Sequence, residues 1–230
     1  MVKMPRSDEE IEAVRENIMT QALELIVSEG YDGFTMRKLA TRLGVAAKTI
    51  YNYFHNQDEL YLCLLTKGFE QLFERFETAI KPHNDPMAQL GATIKAYIDF
   101  GIEHANIYNL MFTLHVPKFN DYVGTPMEQV AQVELDTALK CADFFMDRIK
   151  ACLGDGVAVK ESDIRCEMIR IWSQMHGYVA GINNTLLDYM HDHPIGLKSR
   201  IVDRIISTSQ RELTTLRQRL KLKVTRENPD

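Results

Sequence analysis

Between Thr35 and Gln57 the chain gathers side chains that donate hydrogen bonds and stack, and it leaves out those that repel anions. Arg37, Lys48, Thr49, Tyr51, Asn52, Tyr53 and Gln57 supply cationic, hydroxyl, amide and flat aromatic groups, and no Asp or Glu occurs from Gly33 to Gln57. Arg37, Lys38, Arg42 and Lys48 give this window four positive charges on a chain whose formal net charge is −5. The stretch before it is acidic, with Asp8, Glu9, Glu10, Glu12, Glu16, Glu24 and Glu29. A basic island on an acidic chain can hold a polyanion through one face and repel it elsewhere. Donors and flat rings of these kinds suit contacts to phosphates and to base edges.

Such side chains need a rigid support, and the spacing around them predicts a helical hairpin. Thr35 is placed to cap a helix reaching Leu43, Gly44 ends it, and a second helix runs from Ala47 to Phe54. Two helices that cross closely need a small residue in the first, a left-handed-tolerant residue at the turn and apolar residues beneath the second. Ala40, Gly44, Val45, Ile50 and Phe54 meet those needs in order. Lys48, Thr49, Tyr51, Asn52 and Tyr53 are then left on the outside. Asn56 followed by Glu59 reads as a capping box that opens the next helix.

Thr35-x-Arg37-x-Leu39-Ala40-x3-Gly44-Val45, then Thr49-Ile50-Tyr51-x-Tyr53-Phe54-x2-Gln57-x-Glu59-Leu60, resembles the N-terminal domain of the TetR family of transcriptional regulators. The likeness runs over Ile11 to Leu65. Trp172-x3-His176-Gly177 is similar to the ligand-domain subgroup named after its Trp-His-Gly signature. The resemblance implies that Arg37, Lys48, Tyr51 and Asn52 face base edges of duplex DNA. It gives Thr35, Thr49 and Tyr53 to phosphates, along with backbone amides opening the fourth helix. It also implies a homodimer with its two heads about one DNA turn apart, a small-molecule effector and a repressor released from its operator by that effector. Two positions depart from the family pattern. Ala46 stands where Ser usually caps the reading helix, and Gln57 stands where Lys is common.

The rest of the chain frames this head. With 230 residues, 45% apolar and 26% charged, and only 12 Gly and 7 Pro, it reads as an all-α protein of long helices and short connections. We expect a helix-turn-helix domain over 8-60 and a helical ligand-binding and dimerisation domain over 61-223, about nine helices in all. Asp85-Pro86 and Thr125-Pro126 each read as cap plus proline, and Pro117 to Thr125 as a loop. A helix over Ile107 to Leu114, one ending at Leu153, one over Ser162 to Met190 and a last over Leu197 to Lys223 complete the pattern. A turn is expected at Gly154-Asp155-Gly156. No secretory signal and no apolar run long enough to span a bilayer is visible, so the expected place is cytoplasmic, with no membrane partner. Cys63, Cys141, Cys152 and Cys166 are spread without metal-ligand spacing and read as reduced thiols.

A ligand pocket would draw on Tyr97, His104, Tyr108, Met111, Phe112, Trp172, Met175 and His176, which mix apolar bulk with polar tips. Taken singly, each is more simply a core residue with a satisfied tip. Ile164, Met168, Ile171, Met175, Ile201, Ile205 and Leu213 fit either a dimer seam or the protomer's own core. His191-Asp192-His193 lacks a third ligand at metal spacing, so no metal or other cofactor is expected. Lys3 and Arg6 could reach a minor groove, though an unstructured arm is the default, and Arg217 to Arg226 read as a solvated helix end. No phosphate loop, nucleophile elbow or catalytic-cysteine context supports an enzyme. The alternative of another class is a helical small-molecule-binding or interaction module whose hairpin is structural only and binds no DNA.

Overall fold

A computed structural model describes residues 7–154 and 159–227, with side chains described to residue 220. Lys3, Arg6, Asp155 and Gly156 lie outside the described residues, as do the side chains of Lys221, Lys223 and Arg226. Among the described residues there are ten α-helices, two short 3-10 turns and no strand. The all-α expectation is met. No helix of the described residues is long and apolar enough to cross a membrane.

The chain divides into two compact units. The first takes the described residues of Met1–Phe69 and Asn106–Thr137, and the second those of Glu70–Ala105 and Ala138–Asp230. The head shares its unit with the segment Asn106–Thr137.

In the first unit, α1 (Asp8–Glu29) opens with a full capping box between Ser7 and Glu10. Its stripe of Ile18, Ala22, Leu25 and Ile26 is buried, each large member contributing about 1.5–3 kcal/mol. α2 (Met36–Leu43) starts where Thr35 Oγ1 accepts from the Lys38 amide at 3.2 Å. It stops at Gly44, whose φ of 67° is a left-handed conformation that an L side chain resists. α3 spans Ala47–Tyr51, shorter than the run to Phe54 that the sequence suggests. Beyond it the Tyr53 and Phe54 amides still return to the Ile50 carbonyl at 2.9 and 3.1 Å, so the chain leaves as a turn. Ile50 and Phe54 are fully buried, but Val45 is 41% exposed, against its expected place inside the hairpin. Val45 contributes through its amide, which donates to the Ala40 carbonyl at 3.0 Å.

α4 (Gln57–Ile80) begins where Asn56 Oδ1 accepts from the Glu59 amide at 2.8 Å. The reciprocal half of the expected box is displaced by one residue, since the Glu59 carboxylate accepts from the His55 amide at 2.5 Å. α6 (Ala105–Phe112) lies against Gly68 of α4, where a Cβ would fall 2.7 Å from Met111 Sδ and 2.9 Å from Ile107 Cγ1, so a larger residue there would force those side chains to shift. The stretch from Pro117 to Thr125, expected to be a plain loop, contains a four-residue helix, α7 (Phe119–Tyr122), opened when Asp121 Oδ2 accepts from the Lys118 amide at 2.7 Å.

In the second unit, α5 (Pro86–Glu103) carries the expected cap, with Asp85 Oδ2 accepting from the Ala88 amide at 2.8 Å. α8 (Glu128–Leu153) begins in the first unit, after Thr125-Pro126, with Thr125 Oγ1 accepting from the Met127 amide at 3.2 Å, and its residues from Ala138 onward belong to the second. α9 (Glu161–Asn183) ends seven residues before Met190. There the Asn183 side chain donates to the Gly101 carbonyl at 2.9 Å, and Thr185 takes a positive φ of 56°, which an α-helix cannot continue through. A 3-10 turn, Leu186–Tyr189, follows. α10 (Lys198–Glu227) closes the unit. Ile164, Ile171, Met175, Ile205 and Leu213 are at most 4% exposed in the single chain, so they belong to the protomer core. Met168 and Ile201 are half-buried.

Candidate functional site

The outward face of the hairpin forms because α3 buries one edge and leaves the other in solvent. Ile50 anchors the inner edge, and Lys48, Tyr51 and Asn52 are exposed on the outer one, with Thr49 and Tyr53 half-buried at its flanks. Arg37 is exposed on α2, and Thr35 caps that helix. Gln57 is half-buried at the first position of α4. The residues chosen from the sequence thus share the head: Thr35, Arg37, Lys48, Tyr51 and Asn52 are exposed, and Thr49, Tyr53 and Gln57 are half-buried.

The charge of the window is smaller than its composition suggests. Lys38 Nζ meets Glu29 Oε2 at 2.5 Å and also donates to the Gly33 carbonyl at 2.7 Å. Arg42 pairs with Glu24 and donates to Gln21 Oε1 at 2.8 Å. Two of the four cations are therefore tied to acids of α1, while Arg37 and Lys48 have no ion pair among the described residues. Exposed pairs of this kind are worth little as stability, but they direct which charges face outward.

Two supports of this face have no local signature in the sequence. Arg15 of α1 donates through Nη1 to the Tyr53 carbonyl at 2.7 Å, and its guanidinium lies 4.4 Å over the Phe54 ring. Asp58 of α4 accepts from the Tyr31 hydroxyl, and from the Tyr122 hydroxyl at 3.3 Å. At the start of α3, Ala46 has the extended backbone of an N-cap but makes no side-chain cap bond. That helix end lacks about 1 kcal/mol of stabilisation that a hydroxyl would add.

Residues 18–64 match the family model described as "Bacterial regulatory proteins, tetR family". The head is a TetR-family domain. The chain is 32% identical over 148 residues to the HTH-type transcriptional activator FasR of Mycolicibacterium smegmatis, covering 64% of this chain and 61% of that protein. It is 32% identical over 80 residues to the fatty acid metabolism regulator protein of Bacillus subtilis, covering 35% of this chain and 41% of that one. It therefore spans about three fifths or less of the length of these curated relatives. Among solved structures, a protein of unknown function from Rhodococcus sp. RHA1 superposes with a TM-score of 0.67 at 19% identity, over 91% of this chain and 98% of that one. The transcriptional regulator FadR of Bacillus subtilis, in complex with stearoyl-CoA, gives a TM-score of 0.63 at 20% identity, over 84% and 97%. These likenesses establish a TetR-like fold beyond the head.

The residues expected around a pocket fall into both units. In the first, Tyr108 and Met111 are buried on α6, and the Phe112 ring packs edge-on to Phe69 at 5.6 Å and tilted to Tyr108 at 5.0 Å. In the second, Tyr97 and Met175 are buried, and Trp172 stacks on His176 with centroids 4.8 Å apart at 11°. Burial holds the His176 imidazole below its ordinary pKa, so it is neutral near pH 7. His104 caps α5 and lines an open cavity of about 980 Å³ whose walls come from α4, α5 and α10. Its Nε2 lies 2.7 Å from Arg75 Nη2, which can only donate, so His104 carries its neutral-form proton on Nδ1. A second cavity of about 550 Å³ is lined by Tyr178, Leu187, Pro194 and Ile201. Burial pushes the Cys141 thiol up to about 12 and Cys152 up to about 11, too high for either to act as a thiolate nucleophile at neutral pH. His191 Nδ1 accepts from the His193 amide at 3.0 Å, a turn contact.

Proposed function

We propose that this chain is a homodimeric, ligand-responsive transcriptional regulator that docks its head in the major groove of duplex DNA. The observation that carries this is the outer edge of α3: Lys48, Tyr51 and Asn52 stand in solvent above a fully buried Ile50, in a domain of the TetR family. Lys48, Tyr51, Asn52 and Arg37 read base edges. Thr35, Thr49, Tyr53 and Gln57 hold phosphates, with the first amides of α4, which have no acceptor within their own helix. The relatives are regulators rather than enzymes by name, and the protein acts in the cytoplasm, where its DNA is.

For the effector we favour a long-chain acyl thioester. Support comes from the fatty acid metabolism regulator among the relatives and from the FadR fold, which was solved with stearoyl-CoA. The stacked Trp172 and His176 agree with placing the second unit in the Trp-His-Gly subgroup. Homodimerisation uses outward positions of α9, where Ile169 is 56% exposed. A relative named as an activator stands beside the repressor expectation, so the sign of control is part of the test.

The test is selection of duplexes from a random-sequence library on the purified protein, followed by titration of the selected duplex complex with stearoyl-CoA. Enrichment of a near-palindromic site whose complex weakens on adding stearoyl-CoA supports a repressor with this effector. Strengthening supports ligand-assisted binding. Failure to enrich any sequence favours the helical binding module without DNA function.

A further inference from the structure

The first turns of α4 are fastened to residues 117–127, all within the first unit. Asn56 Nδ2 lies 3.3 Å from Met127 Sδ, and the Tyr61 hydroxyl donates to the Pro117 carbonyl at 3.0 Å. Between them, Asp58 Oδ1 accepts from two phenols, Tyr31 and Tyr122, the latter at 3.3 Å. Tyr122 closes α7 and is 5% exposed. Burial first, and then the Asp58 charge, raises Tyr122 to about 12 against an opposing hydrogen bond from Tyr31, so it remains a donor at neutral pH. Tyr31 is raised by burial and by its bond to Asp58.

Asp58 occupies the second position of α4. The amides of Gln57 and Asp58 there have no intrahelical acceptor and point out of the helix end. An unrestrained carboxylate at this position would fold back onto those amides, and its charge would oppose a phosphate approaching the same spot. Two hydroxyls on one oxygen fix it on the side of Tyr31 and Tyr122 instead.

We infer that Tyr122, acting through Asp58, is a positioning residue for the phosphate-holding first turn of α4. The short helix α7 holds this carboxylate off the helix end, so that the amides of Gln57 and Asp58 are offered to a DNA phosphate. The inference rests on the DNA-binding function proposed above.

The experiment measures affinity against salt for a duplex selected on the wild-type protein, using wild type, Tyr122→Phe, Asp58→Asn and the double variant, with thermal unfolding of each. Tyr122→Phe keeps the buried ring and removes one hydroxyl. It should weaken binding roughly fivefold, the worth of about one hydrogen bond, equally on all selected sequences and with a shallower salt dependence. In the Asp58→Asn background there is no charge left to hold, so adding Tyr122→Phe should change nothing further. Unchanged affinity and salt dependence for Tyr122→Phe overturns the positioning role while leaving DNA binding intact. So does a loss that tracks a lowered unfolding temperature and persists undiminished in the Asp58→Asn background. If the wild type selects no duplex, the DNA-binding function fails first and this inference with it.

Discussion

Arg15 Nη1 donates a hydrogen bond to the Tyr53 carbonyl oxygen at 2.7 Å. The carbonyl belongs to the turn that ends α3, where backbone acceptors outnumber their helical donors. A cation there also complements the helix dipole, and the same guanidinium covers the Phe54 ring at 4.4 Å. The first helix thus fixes the exit of α3 in addition to walling the core. Arg15→Met keeps the apolar stem and removes both contacts. We expect it to cost about 1–2 kcal/mol of stability, read by urea unfolding, and to weaken DNA binding on every sequence alike.

The other end of α3 is underspecified. Ala46 stands at the N-cap with φ −70° and ψ 143° and offers no side-chain acceptor. Ala46→Ser should add about 0.5–2 kcal/mol, raise the unfolding temperature and tighten operator binding, because less helix ordering is left to the moment of docking. A lower unfolding temperature would show that the Ala46 methyl group makes a contact the serine cannot keep.

Reading and holding can be separated on one face. Lys48 is exposed and without an ion pair among the described residues, whereas Thr49 and Tyr53 are half-buried at its flanks. Lys48→Ala should change which operator variants are preferred, by about 1–3 kcal/mol of discrimination at its base. Thr49→Val and Tyr53→Phe should weaken all variants evenly. Equal losses for all three would place the base-facing edge elsewhere.

Ile169 is 56% exposed on α9. Ile169→Glu should leave the unfolding of the isolated chain nearly unchanged, since it faces solvent there, yet shift sedimentation from dimer towards monomer at micromolar concentration. A dimer that survives this substitution would assign the assembly to another face.

Much of the fold was legible because its signals are local. Thr35, Gly44 and Asp85-Pro86 each act within four residues and sit where the spacing places them. The errors fall where distant groups decide. α9 stops at Asn183 because that side chain is drawn to Gly101, some eighty positions away, and Thr185 turns left-handed after it. α7 forms in a stretch read as loop, capped by Asp121 and anchored by Tyr122 on Asp58. In the head, the outer residues followed from helical period, but the pairing of Lys38 and Arg42 with Glu29 and Glu24 needs α1 brought alongside. The same holds for Arg15 on Tyr53. Val45 shows the converse limit: its hydrophobicity suggested burial, while the turn at Gly44 leaves it 41% exposed.

The central claim is that the α3 face binds duplex DNA, and its salt dependence tests that most directly. Phosphate neutralisation releases counterions, so log affinity should fall linearly with log salt at a slope of about −0.9 for each phosphate contact. For a library-selected duplex we expect a steep line for the wild type and a line shallower by about one contact for Tyr53→Phe. A flat line, or identical binding by wild type and a Lys48→Ala, Tyr51→Ala, Asn52→Ala variant, would contradict the account.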